Sequence, residues 1–125
     1  MPFKIVEIYS NASGSIQYIE LSTTQGGQQS LNGTTISVTD GDSTKKSTFR
    51  RDLAGDTTNK SVLLATQGFE ALGLVTPDFI LGPGFLFAAG GSISFGPGDD
   101  FLRYPALPLD GSTALHRLNI STTAL

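Results

Sequence analysis

Short runs of apolar and β-branched residues recur along this chain, separated by polar turn residues, the pattern of successive strands. FKIVEIY (Phe3–Tyr9) is the first such run, and NASG (Asn11–Gly14) is the turn that closes it. SIQYIEL (Ser15–Leu21) follows, with Tyr18 and Glu20 on one face and Ile19 and Leu21 on the other. After the polar loop TTQGGQQS (Thr23–Ser30), Asn32-Gly33 introduces TTISVT (Thr34–Thr39). An Asn-Gly pair favours positive φ and marks a tight turn. DGDSTKK (Asp40–Lys46) reads as a turn before the run STFRR (Ser47–Arg51). SVLLAT (Ser61–Thr66) is almost continuously apolar, the pattern of a buried strand. QGFEALGLVTPD (Gln67–Asp78) is the one helical candidate, and Gly73 and Pro77 limit it to a turn or two. FILGPGFLF (Phe79–Phe87), SISF (Ser92–Phe95) and FLRYPAL (Phe101–Leu107) are the later apolar runs, Pro105 marking the last as an edge or terminating strand. The tail LHRLNISTTAL reads as a final strand or an extended arm.

Short strands separated by turns about every 8–12 residues predict an all-β fold. The expected architecture is an immunoglobulin-like antiparallel β-sandwich with at most one short helix. It forms a single domain over residues 1–125, with 1–4 and 117–125 as candidate assembly arms. Long amphipathic helices are missing, which excludes doubly wound α/β folds.

Two glutamates inside these runs ask for a reason, because charged groups are rarely left in half-buried strands. Glu7 and Glu20 could serve as an acid/base carboxylate pair of the kind glycoside hydrolysis needs. Strands joined by a short turn place them side by side on one sheet, however, not across a cleft. The structural alternative has each carboxylate accept hydrogen bonds from backbone or hydroxyl groups.

Taken together, KIVEIYSNASGSIQYIEL, LNGTTISVTD and SVLLATQGFEALG resemble the lamin tail domain in its bacterial form, over roughly residues 3–118. That family opens with an I-x-E-I strand, a short turn and a Q/E-Y/F-I-E-L strand. A L-x-G-x-x-I/L segment and a buried apolar strand follow. The family's tryptophan after the Leu-x-Gly step has no counterpart, since the chain contains no Trp. The resemblance implies an immunoglobulin-like sandwich without catalytic residues, used for binding, tethering or assembly in nuclear lamins and in bacterial exported proteins. The motifs fill most of the chain, which favours a module that works by itself or with copies of itself.

Composition agrees with that class. Charged residues are 15% of the chain, against about a quarter in an average soluble domain, and Ser, Thr and Gly fill the difference. The net charge of -3 gives no drive toward nucleic acid or an acidic membrane. With no cysteine there is neither a disulfide framework nor a thiolate metal site. A Cys-free, Ser/Thr-rich chain suits an extracellular or cell-surface protein. No signal peptide opens the sequence, so export implies a removed leader or another route. FILGPGFLFAA (Phe79–Ala89) is too short to span a bilayer and is broken by Gly-Pro-Gly, so it is expected in the core.

Other candidates each carry a plain reading beside the functional one. The sole histidine, His116, has no G-x-S-x-G elbow to pair with and too few companions for zinc, which leaves a surface or interface role. Asp40 and Asp42 in DGDST, and Asp99 and Asp100 in GPGDD, are weak calcium candidates, and Asp-Gly is also ordinary turn chemistry. No other cofactor is expected. Lys45, Lys46, Arg50 and Arg51 concentrate half the basic residues around Phe49. A nucleic-acid patch would look like this, but so would a solvated hairpin, or a surface that docks onto Asp99 and Asp100 of a neighbouring subunit. All four asparagines, Asn11, Asn32, Asn59 and Asn119, head N-x-S/T triplets, which makes them candidate glycan acceptors or turn residues.

The expectation for function is therefore a non-catalytic, self-associating structural module that meets copies of itself or another surface protein. Neither nucleic acid nor membrane insertion is expected. The alternatives are a tethering domain for another protein and a carbohydrate- or cell-wall-binding module that stacks sugars on Tyr9, Tyr18 and Tyr104.

Overall fold

β-Branched and aromatic residues at alternate positions make the first two runs strands, β1 (Lys4–Ser10) and β2 (Gln17–Thr23). The computed structural model describes residues 3–96, 100–116 and 121–124, and these form an all-β sandwich. The remaining strands are β3 (Thr35–Thr39), β4 (Thr44–Thr48), β5 (Lys60–Thr66), β6 (Phe79–Leu81), β7 (Gly91–Phe95), β8 (Asp100–Tyr104), β9 (Thr113–His116) and β10 (Ser121–Ala124). A single helical turn, α1 (Gln67–Glu70), follows β5. One sheet has the order β10-β9-β1-β2-β5-β6 and the other β4-β3-β7-β8.

The core lies where the inward positions of both sheets meet. Ile5, Ile8, Ile19, Leu21, Val62 and Leu64 face Ile36, Val38, Ile93, Phe95 and Leu102, all buried. Each such side chain contributes roughly 1.5–3 kcal/mol by leaving water. Phe49, just past β4, stacks on Phe79 of β6 at 4.5 Å and tilts against Phe95 at 5.8 Å, closing the sandwich where those two edge strands approach. On the opposite side Asp100 of β8 accepts a hydrogen bond from the Ile5 N–H of β1 at 2.7 Å. That contact sits beside a bulge at Val6, where the β1–β2 register shifts between Ile5 and Glu7.

Two side chains clip the crossover 82–90 to the sheets. Gln17, fully buried on β2, accepts from the Leu86 N–H at 2.9 Å and donates to the Leu86 carbonyl at 3.1 Å and the Ser10 hydroxyl at 3.0 Å. The next residue, Phe87, exchanges both of its backbone groups with the Tyr104 hydroxyl at 3.0 Å each. A buried loop must satisfy its backbone somewhere, and these two side chains substitute for a missing neighbouring strand.

Several expectations need correction. The hairpin strand after Asp40 begins at Thr44, not Ser47, and takes in Lys45 and Lys46. The Asp40 carboxylate accepts from the N–H groups of Asp42 and Ser43, so the chain reverses within four residues and pairing resumes at once. β5 and β6 pair parallel, because the crossover 67–78 returns the chain to the starting end before β6. Neither arm is free where it is described. Phe3 is buried in the core, Lys4 starts β1, and β10 pairs with β9 of the same chain, while residues 1–2, 117–120 and 125 lie outside the described residues. β8 ends before Pro105 and forms the edge of its sheet, as proline there predicts.

Candidate functional site

The outer face of the six-stranded sheet carries what chemistry the sequence suggested. Alternation puts Glu7 and Tyr9 of β1, Tyr18 and Glu20 of β2, and Leu63 and Ala65 of β5 on that side. Tyr9 and Tyr18 stack at 5.5 Å, and Phe69 from α1 meets Tyr18 edge-on at 5.6 Å. With Ala65 and Ala114 they form a second, smaller apolar cluster, distinct from the main core. Thr66 holds α1 in place over it. Its hydroxyl donates to the Ser15 carbonyl at 2.8 Å, accepts from the Gln17 N–H at 3.1 Å, and caps the turn at the Phe69 N–H.

Glu7 and Glu20 are direct cross-strand partners, as their strands' connection predicts. The Tyr18 hydroxyl donates to Glu7 Oε2. Burial, then that bond and the nearby Glu7 and Glu20 charges, hold the Tyr18 phenol well above the ordinary tyrosine range. Glu20 has no hydrogen-bond or ion-pair partner among the described residues. Two like charges directly opposite each other disfavour the sheet locally. The register puts His116 of β9 on the other side of Glu7.

Around this pair lies a groove of ≈ 390 Å³ whose walls include Glu7, Tyr18, Glu20, Leu63, Phe69 and Val75. Asp78 also lines it, its carboxylate accepting from the Leu63 N–H at 2.8 Å. Beyond Asp78 a second cleft opens between β4 and β6, lined by Arg50, Arg51, Phe49, Pro77, Phe79 and Ile80. One groove is thus acidic and its neighbour basic. Large apolar side chains are exposed on the segment leading into β6 and on β6 itself: Leu74 is 75% exposed, Val75 57%, Leu72 49% and Ile80 41%. Of these, Val75 lines the acidic groove and Ile80 the basic one.

The remaining candidates fall in structural places. Tyr9, Tyr18 and Tyr104 are all buried, so none offers an open ring face to a sugar, and the stacking expectation is corrected on that ground. Asp100 is buried and engaged with β1, so it is open neither to a neighbouring subunit nor to an ion. Asp40 closes its turn, and the Asp42 and Ser43 N–H groups hold its carboxyl below the usual range. Asp99 lies outside the described residues. No group of three or more His, Cys, Asp or Glu side chains comes together among the described residues.

Within the basic run, Lys45 lies over the Phe87 ring at 4.6 Å and donates to the Gly84 carbonyl. Arg51 lies over Phe79 at 4.7 Å and donates to the Asp78 carbonyl. Phe49 is buried and cannot stack on a base. Lys46 and Arg50 are exposed and form no ion pair among the described residues.

Three asparagines occupy turns. The Asn11 side chain accepts from the Ile16 N–H at 3.2 Å and donates to the Ser15 hydroxyl at 3.2 Å. Asn32 is exposed in the turn closed by the Thr34 N–H on the Leu31 carbonyl, where Gly33 takes φ 88°. Asn59, also exposed, takes φ 53°, a left-handed conformation that Asn tolerates better than most residues. Asn119 lies outside the described residues.

Sequence reasoning passed over Gln17, Thr66 and Asp78, each a polar side chain that satisfies backbone across the fold. Gln17 had one signal, a polar residue at an inward position of an alternating strand. The pairing of an acidic groove with a basic cleft was not visible, because it depends on which edges meet. No protein-family model, no curated protein and no solved structure matches the chain.

Proposed function

We propose that this chain is a non-catalytic association module of lamin-tail type that joins copies of itself into an extracellular filament or surface layer. The observation that carries the reading is the run of exposed large apolar residues, Leu72, Leu74 and Val75 on the segment leading into the short edge strand β6 and Ile80 on β6 itself. Scattered exposed leucines are ordinary, but several large ones gathered at a sheet edge mark a contact surface. The other edge of that side, β4, carries Lys45 and Lys46, charges that discourage indiscriminate strand pairing. Contact is therefore expected through the side chains of the apolar run, more than through a bare backbone edge. The Cys-free, Ser/Thr-rich composition supports the extracellular setting. Docking onto another surface protein through the same residues is the tethering form of this reading.

Light scattering coupled to size exclusion, with electron microscopy over a range of concentrations, tests it. Mass that rises with concentration and ordered particles are expected. A strictly monomeric population at every concentration sinks the proposal.

A further inference from the structure

We propose that two copies pair through the adjoining acidic and basic grooves, Arg50 of each copy entering the groove beside Glu20 of the other. This rests on the self-association reading and names the surface and the contacts that would carry it.

The first observation is charge complementarity built into one side of the molecule. Asp78 lines both grooves, so the acidic one and the basic one share a wall. Opposite charges next to each other on one surface suit a two-fold contact, in which residue i meets residue j and j meets i. A foreign partner would have to reproduce that alternation, whereas a second copy supplies it without further design.

The second observation is unmet electrostatics. Glu20 faces Glu7 across the strand pair and has no cationic partner among the described residues. Arg50 is exposed and likewise has no anionic partner among them. A guanidinium beside Glu20 would relieve the like-charge pair and find an aromatic wall in Phe69. The chain already uses that geometry internally, with Arg51 over Phe79 and Lys45 over Phe87. The third observation is exposed apolar surface at the grooves themselves, since Val75 lines the acidic one and Ile80 the basic one, and both would be covered in the pair. An apolar centre with charged contacts at its margin is the usual anatomy of a specific interface.

Charge swapping tests this on the full chain by sedimentation velocity, with thermal melts to show that each variant folds. Glu20→Arg and Arg50→Glu should each weaken self-association about tenfold or more, the cost of losing a close charge pair. Glu20→Gln, nearly isosteric, should weaken it by less. The double variant Glu20→Arg/Arg50→Glu should recover most of the affinity. An equimolar mixture of the two single variants should form a complex with one copy of each. Added salt should weaken the wild-type pair. A wild type that associates, with both single variants equally tight, overturns this interface while leaving self-association standing. A monomeric wild type overturns both.

Discussion

Replacing Gln17 probes how the crossover is held. Its amide makes three hydrogen bonds, to both backbone groups of Leu86 and to the Ser10 hydroxyl. Gln17, Leu86 and Ser10 are all buried, so water cannot take over when the amide is removed. Each bond is worth about 1 kcal/mol net, and each buried group left without a partner costs about 1–3 kcal/mol. Gln17→Ala also opens a cavity between β2 and the loop. The expected loss is about 3–5 kcal/mol, a large part of the ~5–15 kcal/mol that holds a domain of this size. By entropy scaling that lowers the melting midpoint by roughly 11–19 °C. Gln17→Met fills the space without the amide and isolates the polar part, about 2–3 kcal/mol. Gln17→Glu keeps an acceptor for the Leu86 N–H but sets a carboxylate against the Leu86 carbonyl, and should be the worse of the two. Urea unfolding followed by fluorescence and far-UV circular dichroism measures all three. If Gln17→Met were as stable as the wild type, the amide would not be holding the crossover and the reasoning would be wrong.

Three further predictions come from single side chains. Burial raises the Tyr104 phenol from 10.0 to about 12. Its share of stability is complete below about pH 10 and is lost as pH rises through about 12, up to about 3 kcal/mol. Tyr104→Phe should be less stable at neutral pH but flatter from about pH 10 to 12, and urea midpoints across that range decide it. Asn59→Ala should cost about 1–2 kcal/mol because its φ is 53°, whereas Asn59→Gly should be neutral or better; equal losses in thermal melts would refute a backbone origin. Gly68→Ala ought to help a helix by propensity, yet here a Cβ would run into the Ser15 carbonyl, so a lower melting midpoint is expected and a gain would refute the close approach.

Periodicity located most strands because one face of each is buried and the other is wet. QYIELST states its inward and outward faces in the order of its residues, whereas in KIVEIYS the bulge at Val6 breaks the alternation so that Ile5 and Ile8 both face the core and Glu7 stands opposite Glu20. The two-sheet sandwich followed from counting such runs and turns. What stayed hidden depends on tertiary meetings that no local pattern encodes. Nothing near Gln17 in sequence announces Leu86, and nothing near Asp100 announces the Ile5 N–H. The tyrosines looked like sugar platforms because an aromatic residue reads the same exposed or covered. It took α1 and Ala65 to bury Tyr18. The boundary of β4 was misplaced because an Asp-Gly turn can be long or tight, and the side chain of Asp40 decides which.

β1 lies inside its sheet, between β2 and β9. β1 is therefore flanked on one side by a strand far from it in sequence, Glu7 standing opposite His116. Without residues 113–116 in place, β1 has no neighbour on that side at Glu7 and Ile8. The ties from Gln17 to Leu86 and from Asp100 to Ile5 likewise join points far apart in sequence. Contacts of such long range put folding in the slow regime of all-β domains, about milliseconds to seconds. In a fold closed this way the six-stranded sheet is complete only once segments far apart in sequence have met.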